Sequence, residues 1–297
     1  MADLEFYDDP AAFLAVAGEH LALEPVVSTV VATVAEHAAR DDAAGVDQDA
    51  PYRWWLVARD DAGAVTGTGM RTAPFAPYPL FLLPMPEDAA VAVARHLHER
   101  DEPVTGVNGA LPASRVCAEE LARLTGGTVE VAQHTRLHRL DVLVPPPRQV
   151  AGALRLARPA DVDLALAWFE GFVRDADEQA GRPPGSMHET AETEATMLRR
   201  IDGERIWLWT DESGRPVHLT GVNPPAFGAA RIGPVYTPAT HRGRGYAGAA
   251  VAALSQRLLD GGAVPCLYTD QANPTSNALY AALGYRPVVD MVNLLVR

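Results

Sequence analysis

Arg242, Gly243, Arg244, Gly245, Tyr246 and Ala247 stand between a short apolar strand pattern and a long helical one. Glycines let a backbone come close to an anion, and the first turn of a helix offers it unpaired N–H groups and the positive end of the dipole. A loop of this kind can cradle a pyrophosphate. Further along, Tyr280 supplies a phenol, a polar group that can project beside such a loop. In a chain with 24 glycines the loop alone is equally an ordinary solvated turn, and a lone tyrosine is more usually a packed core residue. The flanking elements separate these readings.

Upstream, Ala229 to Thr237 reads as a strand interrupted by Gly233 and Pro234. Proline cannot donate to a central ladder, so a bulge or splay is expected there. The splay leaves N–H groups free around Val235 and Tyr236, where an extended ligand can pair as an added strand. Downstream, Ala247, Val251, Leu254 and Leu258 recur at helical spacing, and Gly261 with Gly262 supplies the stop. An apolar strand from Val264 to Thr269 follows. Asn273 then suits an N-cap and Pro274 the first helical position, which puts Ser276 and Tyr280 on one face of a short helix ending at Gly284.

Together these elements resemble the GNAT superfamily of acyl-CoA-dependent N-acyltransferases. Its signature is Arg or Gln, two residues, Gly, one residue, then Gly or Ala, and Arg242, Gly245 and Ala247 fit it. The resemblance spans roughly residues 150 to 297. It implies that Arg242, Gly243, Arg244, Gly245, Tyr246 and Ala247 hold the pyrophosphate of acetyl-CoA. Val235, Tyr236 and Thr237 would accompany the pantetheine arm, and Asn273 and Ser276 would line its other side. It further implies that an N–H of the splayed strand polarises the thioester carbonyl while Tyr280 protonates the departing thiolate. Transfer would be direct, with no covalent acyl-enzyme.

No carboxylate stands in the Ala229–Thr237 strand, where many members of this family carry a base. Glu170, Asp175, Glu178, His218 and Asp270 are the candidates, though residues of these types are more often solvated or structural than catalytic bases. A water, or an amine arriving neutral, would remove the need. Cys117 and Cys266 lack activating neighbours and read as packing residues. Two cysteines make neither a disulfide framework nor a metal site, and the histidines have no convincing partners as metal ligands.

The chain contains no lysine, so its 25 positive charges are all arginines. That excludes a Walker loop, a kinase and a pyridoxal enzyme, each of which needs a lysine. A net charge of −13 argues against nucleic acid and favours a cationic or neutral acceptor. No apolar run is long enough to span a membrane and no signal-peptide pattern opens the chain, so a cytoplasmic protein, monomeric or homodimeric, is expected.

The two halves repeat. Trp54 to Val57 followed by Asp60 to Gly63 parallels Ile206 to Trp209 followed by Asp211 to Gly214. A helix from Glu87 to His98, a strand near Val104 to Val107 and a helix from Ser114 to Leu124 continue the parallel. Pro145, Pro146 and Pro147 read as a stiff connection, which places a boundary near 148. The first copy has Leu83, Pro84, Met85, Pro86, Glu87 and Asp88 where the glycine loop would be, and Ala122 where Tyr280 would be. Residues 1–148 therefore read as a degenerate half, like the inactive halves of tandem family members, and residues 149–297 as the half that binds acetyl-CoA.

The expected fold class is α/β (α+β): two tandem GNAT-like domains, each a mixed, mostly antiparallel sheet flanked by helices. The expected function is transfer of an acetyl group from acetyl-CoA to a primary amine of a small molecule or peptide, without a metal. A non-catalytic acyl-CoA sensor would keep the cradle and not need Tyr280. A purely structural tandem protein would need neither. The acceptor depends on the stretch from Pro159 to Ile201, which carries no recognisable motif.

Overall fold

The computed structural model describes residues 2–46, 50–179, 181 and 192–297. Its contacts divide the chain into one unit of Met1–Leu137 with Val288–Arg297, and a second of His138–Pro287. The division precedes the proline run instead of falling near 148. Leu140 N–H donates to Pro265 O at 2.9 Å and Val144 N–H to Leu283 O at 3.0 Å, which ties the chain into the second unit before the prolines are reached. The last residues also return to the first unit, where the repeat alone would leave them in the second.

The first unit runs β1 (Asp3–Tyr7), α1 (Pro10–Leu23), α2 (Thr29–Ala43), β2 (Trp54–Arg59), β3 (Val65–Arg71), β4 (Leu80–Leu82), α3 (Glu87–Glu99), β5 (Gly106–Ala110), α4 (Ala113–Thr125) and β6 (Val129–Arg139). The second runs β7 (Ala153–Leu156), α5 (Val162–Gln179), α6 (Glu194–Asp202), β8 (Ile206–Thr210), β9 (Pro216–Val222), β10 (Ala229–Tyr236), α7 (Tyr246–Asp260), β11 (Val264–Asp270) and α8 (Pro274–Ala282), before β12 (Arg286–Val296). The order of elements repeats as the sequence predicts. So does the detail of the hairpins: Asp60 Oδ1 accepts from Ala62 and Ala64 N–H, and Asp211 Oδ1 from Ser213 and Arg215 N–H. Gly63 and Gly214 take φ of 82° and 80° at matching places in those turns.

In the first unit the strand order is β1-β2-β3-β4-β5-β12-β6, antiparallel except for the β4–β5 pair. Strand β12 pairs with β5 from Met291↔Ala110 to Leu295↔Gly106. Its Val292, Leu294 and Val296 join Trp54, Leu56, Leu82 and Leu97 in the core. In the second unit the order is β11-β10-β9-β8-β7, with β10–β11 the parallel pair. Alternation along β8 sends Trp207 to one face with Ile232, Val251, Leu267 and Tyr280. Ile206 and Leu208 go to the other, against Ala165 of α5 and Met197 of α6. Helices thus cover both faces.

Candidate active site

The parallel pairing of β10 with β11 covers Ala229↔Val264 to Arg231↔Cys266 and then stops. On its other side β10 shifts register against β9 between Ile232 and Val235. The irregularity coincides with Gly233 and Pro234, as a ladder without a proline donor requires. Beyond it, the β11-facing edge of Val235 and Tyr236 has parted from its neighbour strand. In the first unit the corresponding pair stays closed: β4 pairs with β5 along its whole length, from Leu80↔Val107 to Leu82↔Gly109.

The glycine loop follows directly. Gly243 and Gly245 have φ of 73° and 90°, a region that costs an L-residue about 1–2 kcal/mol. A Cβ on Gly245 would also lie 3.0 Å from Val150 Cγ2. Gly245 is the N-cap of α7 and gives it no side-chain cap, so the first N–H groups of the helix remain for a ligand. Helix α8 starts as read: Asn273 Oδ1 accepts from Ser276 N–H at 3.1 Å, and Pro274 occupies the first turn.

One cavity of about 620 Å³ joins these parts. Its lining includes Val235, Tyr236 and Thr237 from the splay, Arg242, Gly243, Gly245, Tyr246 and Ala247 from the loop, and Asn273, Ser276 and Tyr280 from α8. Arg244 is the expected residue that does not line it; its guanidinium donates to Thr240 O at 3.2 Å and braces the loop. Tyr280 is 6 % exposed, packs edge-on against Tyr285 at 5.9 Å, and its phenol is pushed above the ordinary range by burial. It is both a core residue and part of the cavity wall.

Arg242 has a role that its signature position does not reveal. Its Nε donates to Thr237 O at 2.9 Å and its Nη2 to Asp175 Oδ2 at 2.5 Å, so the side chain locks the loop to α5. Asp175 also accepts from Tyr236 Oη at 3.0 Å and from Arg174 Nε at 3.0 Å. Burial pushes its carboxyl up, but the Tyr236 hydroxyl and the Arg174 and Arg242 guanidiniums outweigh that and hold it below the carboxylate range. Gly171 makes the arrangement possible, because a Cβ there would meet Tyr236 Oη at 2.5 Å. Phe172, Leu279 and Arg148 are among the wall residues that sequence reasoning did not single out. Arg148 Nη1 reaches Gly243 O at 3.3 Å and brings a further positive charge to the loop.

The candidate bases fare poorly. Asp175 is committed to two arginines. His218 is sealed between Thr237 Oγ1 at 2.7 Å and Thr220 Oγ1 at 2.6 Å, and burial lowers its pKa to about 3. Glu170 and Glu178 are exposed on α5. Asp270 caps the turn before α8, accepting from Ala272 N–H at 2.8 Å. Cys117 and Cys266 are both buried, and burial pushes the Cys117 thiol up to about 12. Among the described residues no group of His, Cys, Asp and Glu could hold a metal ion, and no helix is long and apolar enough to cross a membrane.

Residues 226–293, which contain the splay, the loop and α8, match the family model described as FR47-like protein. A GCN5-related N-acetyltransferase from Sphaerobacter thermophilus superposes with a TM-score of 0.59 at 19 % identity, covering 99 % of this chain and 94 % of that one. A tandem GNAT protein from the clavulanic acid biosynthesis pathway matches with a TM-score of 0.50 at 14 % identity, covering 99 % and 98 %. The fold is that of a tandem GNAT protein. An X-ray structure of a Drosophila protein shares it, with a TM-score of 0.66 at 14 % identity over 98 % of each chain. No curated protein matches the sequence significantly. At these identities the likeness to tandem GNAT structures is one of fold, and the chemistry must be argued from the cavity. The stretch expected to shape the acceptor side, Pro159 to Ile201, includes residues 180 and 182–191, which lie outside the described residues.

Proposed function

We propose that the second unit transfers an acetyl group from acetyl-CoA to a primary amine, and that the first unit is a degenerate copy without a cofactor site. One observation carries the reading: a parted parallel strand pair, an uncapped glycine-lined helix start and a phenol share a single cavity. A pyrophosphate fits the loop, where backbone N–H groups, the helix dipole and the Arg148 guanidinium all favour negative charge. The pantetheine arm fits the open edge at Val235 and Tyr236, as an added strand does.

The amine nitrogen attacks the thioester carbonyl carbon. A C–N bond forms, the C–S bond breaks, the nitrogen loses a proton to water, and the sulfur leaves with the electron pair. An N–H of the parted strand stabilises the developing oxyanion. The raised pKa of Tyr280 keeps its proton in place at neutral pH, ready to be given, fully or as a hydrogen bond, to the sulfur. With His218 sealed and Asp175 ion-paired, the amine enters already neutral.

A non-catalytic acyl-CoA sensor remains the competing reading, and it gives Tyr280 no task. Free-thiol release from acetyl-CoA across a panel of amines decides. Acyl transfer requires amine-dependent thiol release that Tyr280→Phe slows. Thermal stabilisation by acetyl-CoA with no release from any amine would favour the sensor.

A further inference from the structure

His218 is buried, titratable and given no task by the transfer chemistry, yet its ring bridges two threonines. Nδ1 lies 2.7 Å from Thr237 Oγ1, and Nε2 lies 2.6 Å from Thr220 Oγ1. Strand pairing sets all three residues on one face. His218 stands opposite Trp209, and Thr220 opposite both Trp207 and Val235. Trp209 packs against Ala249 and Ala250, and Trp207 against Val251, so this is the face that α7 covers. Thr237, the next residue on that face after Val235, carries the row to the start of the helix. There its carbonyl accepts from Arg242 Nε, and the residue lines the cavity.

The hydrogens along this row have one consistent arrangement. Thr220 is 0 % exposed, and among the described residues its hydroxyl has no hydrogen-bond partner but His218. A buried donor left unmet is rarer and costlier than an acceptor with a spare lone pair, so Thr220 Oγ1 donates to Nε2. Burial keeps the ring neutral, with a pKa of about 3. A neutral imidazole that accepts at one nitrogen donates at the other, so Nδ1–H donates to Thr237 Oγ1. Among the described residues His218 is also the sole partner of that hydroxyl, whose own hydrogen is left for a ligand in the cavity. Donors thus run outward from a sealed threonine to an open one.

Resting on the acyl-transfer reading, we infer that His218 is a positioning residue that holds the Thr237 hydroxyl as a donor to a pyrophosphate oxygen of acetyl-CoA. Phosphate oxygens at neutral pH only accept, and the uncapped start of α7 with the Arg148 guanidinium favours them at this end of the cavity. Thr237 lies outside the Arg242–Ala247 loop, so its hydroxyl adds a side-chain donor to a cradle of backbone N–H groups. Neither His218 nor Thr237 takes part in proton transfer.

Two measurements on the full chain test this. The first is a long-range proton–nitrogen correlation spectrum of the imidazoles at neutral pH, with the His218 signals assigned by their loss in His218→Met. It should show a neutral ring protonated at Nδ1. A ring protonated at Nε2 would overturn the inference and leave acyl transfer standing. The second is titration of wild type, Thr237→Val, Thr237→Ser and His218→Met with CoA, and with pantetheine, which has no pyrophosphate. Thr237→Val should weaken CoA binding by about 10-fold, the scale of one charge-assisted hydrogen bond, and leave pantetheine unaffected. Thr237→Ser should bind as wild type does. His218→Met should fall between them, because its Thr237 hydroxyl is present but no longer held. Equal CoA affinity in Thr237→Val, or an equal loss for pantetheine, would overturn the assignment to the pyrophosphate. Should His218→Met fail to fold, the threonine variants decide. A wild type that binds neither CoA nor pantetheine would remove the acyl-transfer reading and this inference with it.

Discussion

Tyr280 is held by the core and exposed to the cavity, and the two conditions serve one end. Burial fixes the ring against Tyr285 and keeps its proton bound, so the hydroxyl has a proton to donate. Removing that hydroxyl in Tyr280→Phe should lower kcat by about 100-fold, the usual worth of a positioned acid, and leave acetyl-CoA affinity unchanged. Equal turnover numbers in a thiol-release assay would refute the assignment. His218 shows the opposite use of burial. Its pKa of about 3 lies below the ordinary 6.5, so below pH 6.5 the unfolded chain takes up a proton that the folded one refuses. Stability conferred by its neutrality is therefore lost as pH falls, by about 1.4 kcal/mol per unit down to pH 3. Denaturant unfolding at pH 7 and pH 5 should show roughly 2 kcal/mol less loss in His218→Gln than in wild type. Residues whose role is local, such as Gly245 or Asn273, could be read from sequence because turn and cap chemistry acts on near neighbours.

At the scale of elements, the break in β10 decides the site. Gly233 and Pro234 make it, β11 departs after Arg231, and α7 begins where the loop turns back. This part was legible, since proline in a strand and glycines before a helix have few structural solutions. The clamp from α5 was not. Asp175 and Arg242 are far apart in sequence, and only the fold brings Arg242 Nη2 to Asp175 Oδ2 at 2.5 Å. Asp175→Asn should weaken acetyl-CoA binding by about 10-fold, because Arg242 and Tyr236 lose the charged partner that orders the loop. The check is a titration followed by intrinsic fluorescence, and an unchanged dissociation constant would show that the loop orders itself.

For the whole molecule, a repeat in sequence has become two units, the first of which takes back the end of the chain. Val288–Arg297 belongs to the first unit, since β12 pairs with β5 and buries Val292, Leu294 and Val296 in that core. An apolar strand pattern specifies that a strand forms but not which sheet receives it, so this exchange was hidden. Ending the chain at Pro287 should therefore unfold the first unit, the loss of each buried aliphatic side chain costing about 2–5 kcal/mol. Near-ultraviolet circular dichroism, reporting on Trp54 and Trp55 of the first unit, would register it, and an unchanged spectrum would count against the assignment. The two units also differ in their central strand pair, closed in the first and parted in the second. Calorimetric titration of the full chain with acetyl-CoA tests the account at its centre. One molecule should bind per chain, and Gly245→Glu, which sets bulk and negative charge in the cradle, should abolish the binding. Two sites per chain, or binding that survives Gly245→Glu, would contradict it.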